Sequence, residues 1–161
     1  MLIHSFSKIE TNNFKLKIAG PENNYSKELK VFSKQLNINN KVEFLGMIKG
    51  EEKYKLYKEA HVFVAPSYSE VVGMVNLEAA IMNTPVITTF QTGLLKEWNE
   101  HGGILVNPNV SEVEEALREA ISWTQKQRNA RGGMLKEFVL NNYSWERNKN
   151  KWIKLYKDLL D

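Results

Sequence analysis

Five short apolar runs, at residues 15–19, 42–45, 62–65, 85–88 and 104–106, constrain the fold of this 161-residue chain more than anything else in it. Each is too short for a stable helix and is rich in Val, Ile, Leu or Phe, which reads as a buried strand. Stretches with helical spacing alternate with them, at 26–36, 51–59 and 73–82, with a helical turn at 94–99. Further helices are predicted at 2–11, 111–126 and 145–160. Strand alternating with helix is the pattern of βαβ units around a mainly parallel sheet, because parallel neighbours need a crossover long enough to hold a helix. Ser111 with Glu114 three residues on predicts a capping box at the start of one helix, and Gly132-Gly133 predicts an interruption or bend further on. Met74, Leu77 and Ile81 share one helix face and predict core contacts, and Trp98, Trp123, Trp145 and Trp152 predict packing residues. With 42% hydrophobic and 25% charged residues, the composition matches one domain spanning 1–161.

The chemistry concentrates in Pro66-Ser67-Tyr68-Ser69-Glu70-Val71-Val72-Gly73-Met74-Val75-Asn76-Leu77-Glu78-Ala79-Ala80. This run follows the strand at 62–65 and opens a helix, so it lies at a strand's carboxyl end, where open α/β sheets hold ligands. A helix beginning near Val72 or Gly73 leaves its first N–H groups facing outward with the positive end of the dipole, which suits a diphosphate. Gly73 lets that backbone come close. Glu70, in the loop before the helix, and Glu78, between one and two turns in, place one carboxylate for each end of a nucleotide sugar. Spacing alone leaves a second reading open, in which Glu70 complements the helix dipole and Glu78 is a solvated helix residue.

The segment resembles the signature of the retaining GT-B enzymes of the "glycosyl transferases, group 1" family, which runs Pro-Ser, then Glu-Gly-Phe-Gly, then Leu-Glu-Ala. Further similar pieces follow in the family's order: Leu16-Lys17-Ile18-Ala19-Gly20, Val42-Glu43-Phe44-Leu45-Gly46, the stretch from Leu56 to Val64, Thr84-Pro85-Val86-Ile87, Gly103-Ile104-Leu105-Val106 and Tyr143-Ser144-Trp145. An ordered set of this length, from about Phe14 to the C-terminus, is far more specific than a lone Glu pair. The resemblance implies a Rossmann-like three-layer α/β/α parallel sheet, the C-terminal half of a GT-B fold. It implies a domain that binds a nucleoside diphosphate sugar and takes part in moving a hexose to a glycan or lipid acceptor, as in polysaccharide biosynthesis. Glu70 would contact the donor hexose at the reacting centre, Glu78 the ribose hydroxyls, and the amides of Val72, Gly73 and Met74 the diphosphate. Gly93 would lie near the distal phosphate or sugar and Met47 near the base. Ser67 and Gly20 complete the donor-binding set. Neither a metal nor a separate cofactor is implied, and the expected setting is the cytoplasm, with membrane contact at most peripheral.

Departures from the pattern carry their own expectations. Val71 and Val72 stand where the family has glycine and an aromatic, which puts the loop shape in question, and of the family's Gly-Gly-x-Pro-Glu segment only Gly93 remains, in Gln91-Thr92-Gly93. The family's first strand and its Gly-Arg…Lys segment have no counterpart, so the sheet is expected to lack its first strand. The strands at 15–19 and 62–65 would then close directly on one another, or a second copy would cover the edge in a homodimer. The acceptor-binding N-terminal half also has no counterpart, so the chain alone is expected to be inactive. A non-catalytic nucleotide-binding or assembly subunit and a nucleotide-sugar 2-epimerase fragment are the alternative readings.

Several classes are disfavoured. There is no Cys, and His4, His61 and His101 are scattered, so no metal-ligand spacing occurs. A net charge of +3 is far from a nucleic-acid footprint. The late Lys and Arg, from Arg128 to Lys157, read as a solvated helix face. No apolar run approaches the roughly 18 residues of a membrane span.

Overall fold

The computed structural model describes residues 1–11 and 13–160. Helix α1 (Leu2–Ser7) leads to β1 (Leu16–Ala19), α2 (Asn24–Gln35), β2 (Val42–Gly46), α3 (Gly50–Glu59), β3 (Phe63–Ala65), α4 (Met74–Ile81) and β4 (Val86–Thr89). Two 3-10 turns, Phe90–Thr92 and Lys96–His101, precede β5 (Ile104–Val106), and α5 (Val110–Ser122), α6 (Gln125–Tyr143) and α7 (Trp145–Asp158) close the chain. All pairings are parallel: β1 with β2, with Ile18 beside Phe44, and β3–β4–β5, with Val64 beside Ile87 and Ile87 beside Ile104.

Alternation along the central strands builds the layers. Val86 and Leu105 point to one face, where Leu77, Ala79, Ala80, Leu135, Phe138 and Val139 of α4 and α6 pack with buried Trp98. Ile87 and Val106 point to the other, where they meet Ile3, Phe6, Val113, Ala116, Leu117 and Ala120 of α1 and α5. A strand buried on both faces must be apolar or internally bonded throughout. β4 meets this condition, since Thr88 and Thr89 donate their hydroxyl protons to the carbonyls of Ala65 and Ser67.

Direct closure of β1 on β3 does not occur: they edge two separate sheets, and no backbone hydrogen bond joins them among the described residues. The strands are nonetheless neighbours. Phe14, just before β1, lies edge-on to His61, just before β3, at 5.0 Å, and Leu16, Ile18, Val62 and Val64 share one core. Of the two expected arrangements, direct closure is therefore excluded. β1 alternates half-buried and exposed residues and β3 is half-buried throughout.

Helix boundaries bring further corrections. α1 stops at Ser7, and the Arg118 guanidinium takes the Lys8 carbonyl just beyond it. Asn109, not Ser111, caps α5, its side chain accepting the Glu112 N–H at 2.9 Å, while Glu114 pairs with Lys8 and Arg118. The helix expected through 126 breaks at Trp123, and Thr124 with Gln127 forms a capping box for α6. Gly132-Gly133 causes no break, because α6 runs continuously through it and uses Gly132 to lie against the Asn83 carbonyl, where a Cβ would overlap. Trp98 and Trp123 are buried, but Trp145 and Trp152 are exposed. Met74 is exposed too, leaving Leu77 and half-buried Ile81 as the core face of α4.

Candidate functional site

The segment between β3 and α4 is held down by the segment after β4. Glu70 N–H donates to the Gln91 carbonyl at 2.9 Å and Gly73 N–H to the Thr92 carbonyl at 3.1 Å. Gly93 completes the fit. It is left-handed (φ 65°), and a side chain there would overlap the Val71 carbonyl. The two loops thus form one ledge at the carboxyl ends of β3 and β4. Val71 points into solvent, 92% exposed, and needs no positive φ. Its replacement of glycine therefore leaves the ledge intact.

Glu70 stands exposed on this ledge and accepts the Ser67 hydroxyl proton at 2.5 Å. Its other oxygen, Oε2, is 3.1 Å from where a Cβ on Gly73 would stand, which places the carboxylate at the N-terminus of α4. Gly73 is the N-cap residue. The outward-facing donors are not the set expected from sequence. Gly73 N–H is taken by Thr92 and Met74 N–H by the Val72 carbonyl, while Val72 and Val75 N–H have no acceptor among the described residues. Asn76, unremarked in the sequence, is fully buried in the first turn of α4. Its Nδ2 donates to Thr88 Oγ1 at 3.2 Å and its Oδ1 has no partner among the described residues.

Glu78 sits one turn further along α4, and its carboxylate is gripped from α3. Lys53 Nζ donates to both carboxylate oxygens at 2.9 Å, and the Tyr57 hydroxyl donates to Oε2 at 3.2 Å. The bond to Glu78 holds the Lys53 ammonium above the ordinary lysine range, against its partial desolvation. Burial first, then the Glu78 charge, pushes the Tyr57 phenol above its usual value. Lys53 and Tyr57 are i,i+4 on one face of α3. That spacing was visible in sequence; their partner 25 and 21 residues away was not.

Gly20 and Met47 belong to a third place. Gly20 N–H donates to the Gly46 carbonyl at 2.8 Å, tying the ends of β1 and β2 together. A pocket of about 290 Å³ opens there, lined by Ile18, Gly20, Phe44 and Gly46, with the Glu22–Lys30 ion pair at its edge. Met47 is exposed just beyond it and leads into α3, which carries Lys53. The structure therefore gathers Ser67, Glu70, Val72, Gly73, Met74 and Gly93 on one ledge, Gly20 and Met47 at a separate pair of strand ends, and Glu78 at the contact of α4 with α3. A larger pocket, about 620 Å³ between the second 3-10 turn and α6, touches none of these residues. No group of three or more His, Asp or Glu side chains able to hold a metal occurs among the described residues. No described helix is long and apolar enough to cross a membrane.

Parallel strands, flanking helices and a loop cluster at the strands' carboxyl ends define an α/β protein of the GT-B glycosyltransferase architecture. The family model "Glycosyl transferases group 1" matches residues 1–133, and the chain belongs to that family. An uncharacterized glycosyltransferase of Methanocaldococcus jannaschii is 34% identical over 166 residues, which is 97% of this chain and 40% of that protein. Sucrose-phosphate synthase from Thermosynechococcus elongatus superposes with a TM-score of 0.84 at 25% identity, over 99% of this chain and 41% of that one. Anabaena HepE, solved in complex with UDP and glucose, superposes with a TM-score of 0.81 at 18% identity, over 97% of this chain and 44% of that one. The chain thus spans less than half the length of these relatives.

Proposed function

We propose that this chain is the donor-binding domain of a retaining glycosyltransferase that moves a hexose from a nucleoside diphosphate sugar to a glycan or lipid acceptor. The observation that carries the reading is the pair of carboxylates on α4 and its entry loop: Glu70 is exposed on a rigid ledge, and Glu78 is held in place from α3. The UDP and glucose bound by Anabaena HepE are the kind of ligand this ledge would take. Glu70 contacts the donor hexose, with Ser67 fixing its rotamer. The free N–H groups of Val72 and Val75, at the positive end of the α4 dipole, face the diphosphate and stabilise the charge that builds on it as the glycosidic bond breaks. Glu78 receives ribose hydroxyl protons, and Gly20 and Met47 border the base. Gly93 and Gly73 shape the ledge rather than touch the donor. The acceptor side comes from outside these 161 residues, so the chain alone transfers no sugar.

Calorimetry of the purified chain with UDP, GDP and ADP tests this directly. Binding of one of them is expected, and Glu78→Ala weakens it by about 1–2 kcal/mol through loss of charge-assisted hydrogen bonds. An unchanged affinity in that variant removes Glu78 from the site. Glu70→Ala is expected to spare the diphosphate and weaken only the matching nucleotide sugar. Turnover by the chain alone would overturn the donor-domain assignment.

A further inference from the structure

The Glu78 carboxylate has too few open acceptor positions to do by itself what the donor-site reading asks of it. Its two oxygens offer about four acceptor positions. Lys53 occupies one on each oxygen and Tyr57 a second on Oε2, leaving one on Oε1. A ribose offers two neighbouring hydroxyls. They cannot both donate to Glu78 while the α3 contacts persist, and those contacts are built to persist. The Tyr57 ring is buried edge-on against Phe63 at 5.1 Å, and the Thr84 hydroxyl holds the Tyr57 carbonyl at 2.6 Å.

Lys53 supplies the missing partner. Its ammonium carries three N–H donors, of which two are spent on Glu78, and the third has no acceptor among the described residues. The Tyr54 ring stands 5.4 Å from the same nitrogen. Both side chains remain partly open, Lys53 at 31% and Glu78 at 28%, so a ligand can reach the pair. An ion pair this exposed contributes little to stability.

Resting on the donor-site reading, we infer that Lys53 and Glu78 form a two-part reader of the ribose diol. Glu78 Oε1 accepts one hydroxyl proton, and the free Lys53 N–H donates to the oxygen of the other hydroxyl. Lys53 is then a specificity-determining residue for ribose over deoxyribose, and Tyr57 is a positioning residue that fixes the Glu78 rotamer.

The chain has no cysteine, which allows a clean test. Lys53→Cys would be measured before and after alkylation with 2-bromoethylamine, which rebuilds an ammonium of nearly the same reach. Binding is read for UDP, GDP and ADP, each against its 2′,3′-dideoxy counterpart. The expected result is a preference of about tenfold for the ribose form in the unaltered chain. It should fall by about threefold in Lys53→Cys, where Glu78 alone faces the diol, and return to its starting value on alkylation. A preference undiminished by Lys53→Cys, or one that alkylation does not restore, overturns this inference and leaves the donor site standing. Equal binding of ribose and dideoxy forms by the unaltered chain overturns it together with the ribose role of Glu78. No binding of any of the six overturns the donor-site reading as well.

Discussion

The two sheets are built from the same kind of strand and packed very differently. β4 lies between two helix layers with every residue buried, whereas β1 and β2 contribute only to the core shared with α1, α2 and α5. In β1 the second face is Lys17 and Ala19, both exposed. The difference teaches where rigidity comes from. The ledge carrying Glu70 stands on the doubly covered sheet and is held by backbone bonds. The pocket at Gly20 stands on the singly covered one, with open space around its glycine.

Core truncation should give the largest contrast. Ile87→Ala, in fully buried β4, is expected to lose about 2–5 kcal/mol in urea unfolding. Ile18→Ala, in half-buried β1, should lose less than about 2 kcal/mol. Equal losses would erase the distinction between the sheets.

The glycines sharpen it next. Gly93→Ala must hold a left-handed backbone and push away the Val71 carbonyl, at a cost of about 1–3 kcal/mol, and the displaced ledge should weaken binding of a nucleotide sugar. Gly20→Ala meets nothing within 4 Å and should stay within about 0.5 kcal/mol of the parent. A stable Gly20→Ala chain that nonetheless loses nucleotide affinity would place the base in the β1–β2 pocket.

A smaller effect is expected at the layer common to both sheets. Asn109→Ala removes the cap of α5, at about 1 kcal/mol. Because α5 packs on the core shared by β1, β2, β4 and β5, amide exchange in both sheets should speed up. Acceleration in one sheet alone would show that the layer does not couple them.

Acid gives the smallest and most local effect. The Lys15 and Lys30 ammonium groups, chiefly by hydrogen bonding, hold Glu43 and Glu22 below the ordinary carboxylate range, and both pairs flank β1–β2. A carboxylate depressed in the folded state stabilises above its unfolded value, and that contribution is lost as pH falls through the folded value. Intrinsic-rate-corrected amide exchange in β1–β2 should therefore quicken between about pH 5 and 3, and Lys15→Met with Lys30→Met should remove that pH dependence from β1–β2 while leaving the end of β5, where Glu112 is held low by the Asn107 N–H, unchanged. A β1–β2 profile unaltered in that variant would contradict this.

What could be read from sequence followed local physics. The βαβ alternation, the strand at 104–106 and the loop-to-helix placement of Glu70 and Glu78 all rest on neighbours within a few positions, and all stand in the structure. Two rival caps two residues apart, Asn109 and Ser111, could not be separated by pattern, because each has a Glu three residues on. Gly132-Gly133 read as a break because its packing partner, Asn83, is distant in sequence. Lys53 has the same character, being an ordinary helix lysine until α3 is laid against α4. Closure of β1 on β3 is not written in local pattern either, since it depends on how two strands more than forty residues apart lie against one another.

The bonds from Glu70 and Gly73 to the carbonyls after β4 also bear on how such a loop can drift in evolution. Its path is set by main-chain groups, which every residue but proline supplies, and by one glycine on the opposite segment. In a randomised library, position 71 would accept most side chains and position 93 almost none.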